Sequence, residues 1–342
     1  MPSSLSLDFR ISDATSASRA WLACEQLLSR CDLQPEADIQ YFIQAWDGPR
    51  LAGCAGLAGN MVKCVATDAA WRGCNLTGHL LSAVESVASR LGTPHLFLAT
   101  RQKNTDIFRH CGFWPVAKDT QHTVLMENFP GGLHRYCQQL THLRQPGNAI
   151  AAIVMNANPF TLGHQFLAQR AAEQSDWLHL FLVREDASFF PYADRLEMVR
   201  QGVAHLPNVT VHEGSGYMIS RATFPDYFLK ETPQVDHAWS DIDLTIFRDH
   251  IAPALGITHR YIGSEPFCDT TRRYNHNMHL AFQGKISVIE TERFAPDNGP
   301  AISASEVRRL LIEEQSARLR RKVPATSWHW LKTHYLTPLG EK

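Results

Sequence analysis

Residues 149–155, Ala-Ile-Ala-Ala-Ile-Val-Met, are apolar without interruption. That is the pattern of a strand buried on both faces of a parallel sheet. Beyond it the spacing changes to a helical period over 164–174, with Phe166, Leu167 and Ala171 on one face. A second apolar run covers 177–183, a second helical stretch 195–206, and short runs at 209–212, 235–239, 260–263 and 286–289 read as further strands. Strands alternating with helices in this way predict a doubly wound α/β domain with a parallel sheet.

The first part of the chain is patterned differently. Residues 41–46 and 51–58 flank an Asp47-Gly48 turn, 62–67 gives a third strand and 95–99 a fourth. Between them, Leu80, Leu81, Val84, Val87, Ala88 and Leu91 fall on one face of a helix over 78–91. This is an α+β module. Pro130-Gly131-Gly132 and Pro146-Gly147 mark a break in chain direction. Leu133, Tyr136, Cys137, Leu140 and Leu143 make the stretch between them helical. The reading is a module over 1–130, a linker over 131–147 and an α/β domain over 148–342.

Composition adds limits. A chain of 342 residues with 44% hydrophobic and 20% charged positions can build two full cores. The formal net charge of −1 gives no electrostatic case for binding nucleic acid or an anionic membrane. Met1-Pro2-Ser3-Ser4-Leu5-Ser6 lacks the basic start of a signal peptide, and the apolar run at 149–155 is too short to span a bilayer. The eight cysteines are scattered, without a C-x-x-C pair or zinc spacing. They read as reduced thiols of a cytoplasmic protein. No metal is assigned to protein ligands.

Candidate chemistry follows the first strand of the α/β domain. The segment 158–164, Asn-Pro-Phe-Thr-Leu-Gly-His, opens the next helix, where unpaired N–H groups and the dipole favour phosphate. Gly163 permits close approach of a ligand, and Thr161 and His164 can face it together. The bland alternative makes Thr161 an N-cap and His164 an exposed helical residue. Ile302-Ser303-Ala304-Ser305-Glu306-Val307-Arg308 begins another helix. Ser303 with Glu306 forms a capping box, and the same geometry offers Ser303, Ser305 and Arg308 to an anion. Arg195 is either a phosphate ligand or a solvated arginine at a helix start. Asp241 and Asp243 are either helix caps or active-site carboxylates.

Together, Thr161-x-Gly163-His164 and Ile302-Ser303-x-Ser305-x-x-Arg308 resemble the nucleotidyltransferase superfamily. The intervening Val183-Arg184-Glu185-Asp186-Ala187-Ser188-Phe189-Phe190-Pro191, Asp194-Arg195, the stretch 219–230 and Ile262-Gly263-Ser264-Glu265-Pro266-Phe267 resemble the citrate lyase ligase family. The resemblance implies ATP with Mg2+ as the substrate complex. It also implies acetate activation through acetyl-adenylate, and delivery to the dephospho-CoA-derived thiol arm on the acyl carrier subunit of citrate lyase. It puts His164 on the α-phosphate and Thr161 on the β-phosphate. Ser303, Ser305 and Arg308 take the β- and γ-phosphates, and Asn158, Phe160 and Gly163 belong to the ATP-binding turn. Gly263 and Glu265 then border the adenine or ribose. In the first module, Arg72-Gly73-Cys74-Asn75-Leu76-Thr77-Gly78 and the later Asn104, Phe108 and Gly112-Phe113 resemble GCN5-related acetyltransferases. That likeness implies their fold, with Arg72, Gly73 and Gly78 in a loop that receives the carrier arm or a CoA-like group. Three other readings stay open: an acetate ligase for the malonate decarboxylase carrier, a small-molecule adenylyltransferase, and a non-enzymatic ATP-sensing module.

Overall fold

A computed structural model describes residues 7–13, 19–185, 188–220, 223, 238–265, 268–296 and 300–336. The chain divides into two compact units, Met1–Leu133 and His134–Lys342.

The first unit runs β1 (Asp8–Asp13), α1 (Arg19–Arg30), β2 (Tyr41–Asp47), β3 (Arg50–Ala58), β4 (Met61–Thr67), α2 (Leu76–Arg90), β5 (Phe97–Arg101), α3 (Thr105–His110), β6 (Trp114–Lys118) and β7 (Thr123–Glu127). These strands form one sheet in the order β1-β2-β3-β4-β5-β7-β6. Every pairing is antiparallel except β4 with β5. Leu76, Leu80, Leu81, Val84, Val87 and Ala88 of α2 pack into one core with Ile43, Ala45 and Leu57. Trp21, Cys24, Leu27 and Leu28 of α1 pack into another with Phe42, Leu51 and Cys54. Strand β3 contributes to both cores, which is why it is buried along nearly its whole length instead of alternating. The strand expected at 95–99 begins two residues later, at Phe97.

Helix α4 (Gly132–Thr141) covers most of the stretch read as a linker helix. Then follow β8 (Ile150–Met155), α5 (Leu162–Glu173), β9 (Trp177–Leu182), α6 (Tyr192–Val203) and β10 (Val209–His212). Next come α7 (Ala238–Ile246), which continues through a π-helical turn over Phe247–Ile251 into α8 (Ala252–Leu255), and β11 (His259–Gly263). The order finishes with α9 (Asp269–Phe282), β12 (Ser287–Thr291), α10 (Ala304–Ile312), α11 (Ser316–Leu319) and α12 (Ala325–Leu331). The sheet order is β10-β9-β8-β11-β12, all parallel, as a doubly wound α/β fold requires. Of the strand expected at 235–239, residues 235–237 lie outside the described residues, and Ala238 and Trp239 open helix α7. Ile242, Asp243, Leu244, Ile246 and Phe247 are all buried. The stretch 224–230, which helped carry the family resemblance, also lies outside the described residues.

The chain leaves β8 in one direction, through β9 and β10, and returns to add β11 and β12 on its other side. Strands β8 and β9 pair over their full length. Strands β8 and β11 pair only at His259–Ala151 and Arg260–Ala152. Past those residues a crevice opens between the strands' carboxyl ends, at the point where the strand order reverses.

Candidate active site

A cavity of about 510 Å3 fills that crevice. Thr161 ends the turn after β8 and caps α5, its hydroxyl accepting the His164 N–H at 3.4 Å. His164 answers through Nδ1, which lies 3.0 Å from the Thr161 backbone nitrogen and 2.9 Å from its hydroxyl oxygen. A backbone N–H can only donate, so Nδ1 is the acceptor and the neutral ring carries its proton on Nε2. Burial, reinforced by the nearby Arg293 guanidinium, lowers the His164 pKa to about 4. The imidazole therefore lines the cavity as a neutral group with one N–H donor, Nε2, that has no partner among the described residues.

Behind it, Phe160 stacks on His164 at 5.8 Å between centroids and is fully buried. Gly202 of α6 makes room for that ring, since a Cβ there would stand 2.3 Å from Phe160 Cε1. Phe160 supports the imidazole from behind and does not line the cavity.

The second helix terminus meets the first. Ser303 caps α10 by accepting the Glu306 N–H at 3.4 Å. Glu306 does not complete a capping box; its carboxylate pairs with Lys322 at 2.9 Å. The reciprocal box belongs to Thr161 and His164 instead. Arg308 joins the two turns, donating Nη1 to the Asn158 carbonyl at 2.6 Å and Nη2 to Ser305 Oγ at 2.9 Å. Asn158 Oδ1 accepts the Phe190 N–H at 3.1 Å. Asn158, Thr161, Gly163, His164, Ser303, Ser305 and Arg308 all line the one cavity. The Thr161 hydroxyl accepts the cap N–H and lies against the imidazole while Thr161 also lines the cavity. A Cβ at Gly163 would meet only ordinary contacts, at 3.6 Å or more.

Gly263 and Glu265 lie on the same wall, at the end of β11. Glu265 accepts the Cys268 N–H at 3.1 Å and pairs with Arg293, whose Nε donates to the Ser264 carbonyl at 2.7 Å. Space beside Gly263 is open.

The sequence reading is corrected at Arg195. This side chain is fully buried and outside the cavity lining. Its guanidinium donates to the carbonyls of Asn156, Val183, Glu185 and Phe190 at 2.8–3.2 Å. It ties together the loops after β8 and β9. Asp243 is neither a cap nor a cavity carboxylate. It is buried, accepting from Ile219 N at 2.6 Å, Thr223 Oγ1 at 2.8 Å and the Tyr274 hydroxyl at 2.6 Å. Burial raises its pKa, and these bonds oppose the shift. Asp241 sits in the first turn of α7.

Among the lining residues that were missed are two cations, Arg293 and Arg260. Arg293 sits in a loop with no pattern around it. Arg260 had a signal, a cation inside the apolar strand Arg-Tyr-Ile-Gly, where burial without a purpose is costly.

In the first unit, the loop before α2 holds Gly73 at φ +82 and Asn75 at φ 53, both left-handed. Arg72 is exposed. A Cβ on Gly78 would stand 2.7 Å from Asn75 Oδ1, so the Asn75 side chain occupies the space that Gly78 leaves.

Among the described residues no helix is long and apolar enough to cross a membrane, and no group of three or more His, Cys, Asp or Glu side chains could hold a metal.

The second unit is thus a doubly wound α/β domain in which two helix N-termini and a neutral histidine share one crevice at the switch point of a parallel sheet. Residues 150–331 match the model of the citrate lyase ligase C-terminal domain. The chain is 47% identical over 307 residues to [citrate [pro-3S]-lyase] ligase of Klebsiella pneumoniae, covering 88% of this chain and 90% of the relative. It is 45% identical over 313 residues to the same-named protein of Escherichia coli strain K12, covering 90% and 89%. The chain belongs to the citrate lyase ligase family. Among solved structures it is similar to an acyl-CoA N-acyltransferase from Pseudomonas aeruginosa, with 18% identity and a TM-score of 0.32 over 36% of this chain and 100% of that one.

Proposed function

We propose that this chain activates citrate lyase by acetylating the thiol arm on its acyl carrier subunit, using acetate and Mg-ATP. Membership of the family supports the ligase reading. The observation that carries the chemistry is the fixed imidazole of His164 sharing a cavity with Ser303, Ser305 and Arg308.

In the first half-reaction an acetate oxygen attacks the α-phosphorus of ATP. The bond from that phosphorus to the bridging oxygen breaks, and pyrophosphate leaves with the electron pair. His164 Nε2–H donates to the α-phosphate oxygens as their charge grows, and Thr161 holds the ring in that tautomer. The N-terminus of α10, the two serine hydroxyls and Arg308 neutralise the departing pyrophosphate. Gly263 and Glu265 border the adenosine. In the second half-reaction the carrier sulfur attacks the acetyl carbon, and the carbon–oxygen bond to AMP breaks. AMP takes the electron pair, and the thiol proton passes to solvent. Positioning and charge neutralisation suffice for the phosphoryl step. The loop holding Arg72, Gly73 and Gly78 receives the carrier's dephospho-CoA-derived arm.

The test is an analysis of nucleotides after incubation with acetate. AMP formed only when acetate and carrier thiol are both present, in step with acetyl-thioester, supports the reading. A stable adenylylated small molecule, or nucleotide bound and unchanged, would replace it.

A further inference from the structure

The cavity wall also holds, on β11, a cation that the adenylylation machinery does not use. Arg260 is 3% exposed, yet its Nε and Nη1 are fully buried without a hydrogen-bond partner. The guanidinium lies over the Phe247 ring, 4.6 Å from its centroid, and makes no ion pair among the described residues. Asp243 offsets part of the charge at longer range, but its oxygens are already taken by Ile219, Thr223 and Tyr274. Burying a cation with open donors costs several kcal/mol. An unsatisfied group of that kind inside a cavity wall is a place for an anion. The same cavity is also lined by the apolar Val154, Ile219, Ile262 and Met278. A cation with open donors and apolar side chains lining one cavity suit an acid with a short hydrocarbon tail.

We propose that Arg260 binds the carboxylate of a short-chain monocarboxylic acid, the substrate to be activated, while the apolar side chains enclose its tail. The inference rests on the acid-activation reading above. One carboxylate oxygen stays with the guanidinium and the other is left to attack phosphorus. The cation also reduces the repulsion between the carboxylate and the α-phosphate.

Arg260→Met and Arg260→Lys in the full chain test this by two measurements. In acetate-dependent exchange of pyrophosphate into ATP, Arg260→Met raises the KM for acetate by about 10- to 100-fold, the loss of a charge-assisted bond, and leaves the KM for ATP within about two-fold. Arg260→Lys, which keeps the charge, gives an intermediate value. An unchanged KM for acetate in either folded variant overturns the proposal, as does an equal rise in both KM values. The second measurement needs no turnover. Acetate and propionate raise the melting temperature of the wild-type chain, and Arg260→Met abolishes that shift. An equal shift in Arg260→Met, or one that sulfate reproduces in the wild type, overturns the carboxylate site. Wild-type chain that shows the Arg260-dependent shift but no exchange keeps this inference and removes the activation reading.

Discussion

His164 is set by its neighbours before any ligand arrives. The Thr161 N–H fixes the tautomer, Phe160 supports the ring, and burial keeps it uncharged. Each of these can be perturbed singly. Gly202→Ala places a methyl inside the space of Phe160. Overpacking of this kind destabilises by about 1–3 kcal/mol. The urea midpoint falls, and exchange activity falls further than stability alone explains, because the imidazole moves with the ring. Wild-type activity in a stable Gly202→Ala chain contradicts that coupling. The pair Thr161 and His164 was legible in the sequence as capping or as phosphate binding; the cap is present, and the same arrangement leaves Nε2 for the proposed phosphate contact. The true role of Arg195 was not legible, because a helix-start arginine reads as solvated until the carbonyls that surround it are brought together by two separate loops.

Two helix starts and two strand ends make the site. Thr161→Val removes the cap hydroxyl of α5 and costs about 1 kcal/mol, read as a lower denaturation midpoint. Exchange falls less than in His164→Ala, since the backbone N–H still holds Nδ1. An effect on exchange equal to that of His164→Ala would show that the hydroxyl meets phosphate directly. Helices α5 and α10 were visible in the sequence because an unbroken apolar run or a Ser-x-x-Glu pattern marks their starts. Helix α9 was not, although Tyr274, Asn275, Met278 and Phe282 are buried along it. Its exposed positions, Asp269, Arg272, Arg273, His276 and His279 among others, make the stretch read as polar.

Over the whole molecule the parallel sheet was predicted from alternating patterns, and its strand order could not be. Which side of β8 receives β11 depends on long-range packing, and that choice creates the crevice. The same packing buries His179 and His212 and leaves His164 half-buried in the cavity wall. Burial lowers the pKa of His164 to about 4 and of His179 to about 4. Burial, with His179 2.9 Å away, lowers that of His212 to about 3. In the unfolded chain they titrate near 6.5. Below that pH the unfolded state takes up protons that the folded state refuses, so stability falls as pH drops from about 6.5 to about 4. His179 and His212, which are buried, each contribute a slope on the order of 1 kcal/mol per pH unit over that window, and the half-buried His164 contributes less. Urea melts at pH 7, 5.5 and 4.5 should show midpoints falling in that order. His179→Phe with His212→Phe flattens the dependence if it folds, and an unchanged dependence in that chain removes these rings as its source.

The central claim is that His164 acts on the α-phosphate during acid activation. Acetate-dependent exchange of labelled pyrophosphate into ATP isolates that step from carrier acetylation. In His164→Ala the account predicts a loss of about 10²–10³ in exchange rate with ATP binding preserved. Exchange close to wild type in that variant would contradict it.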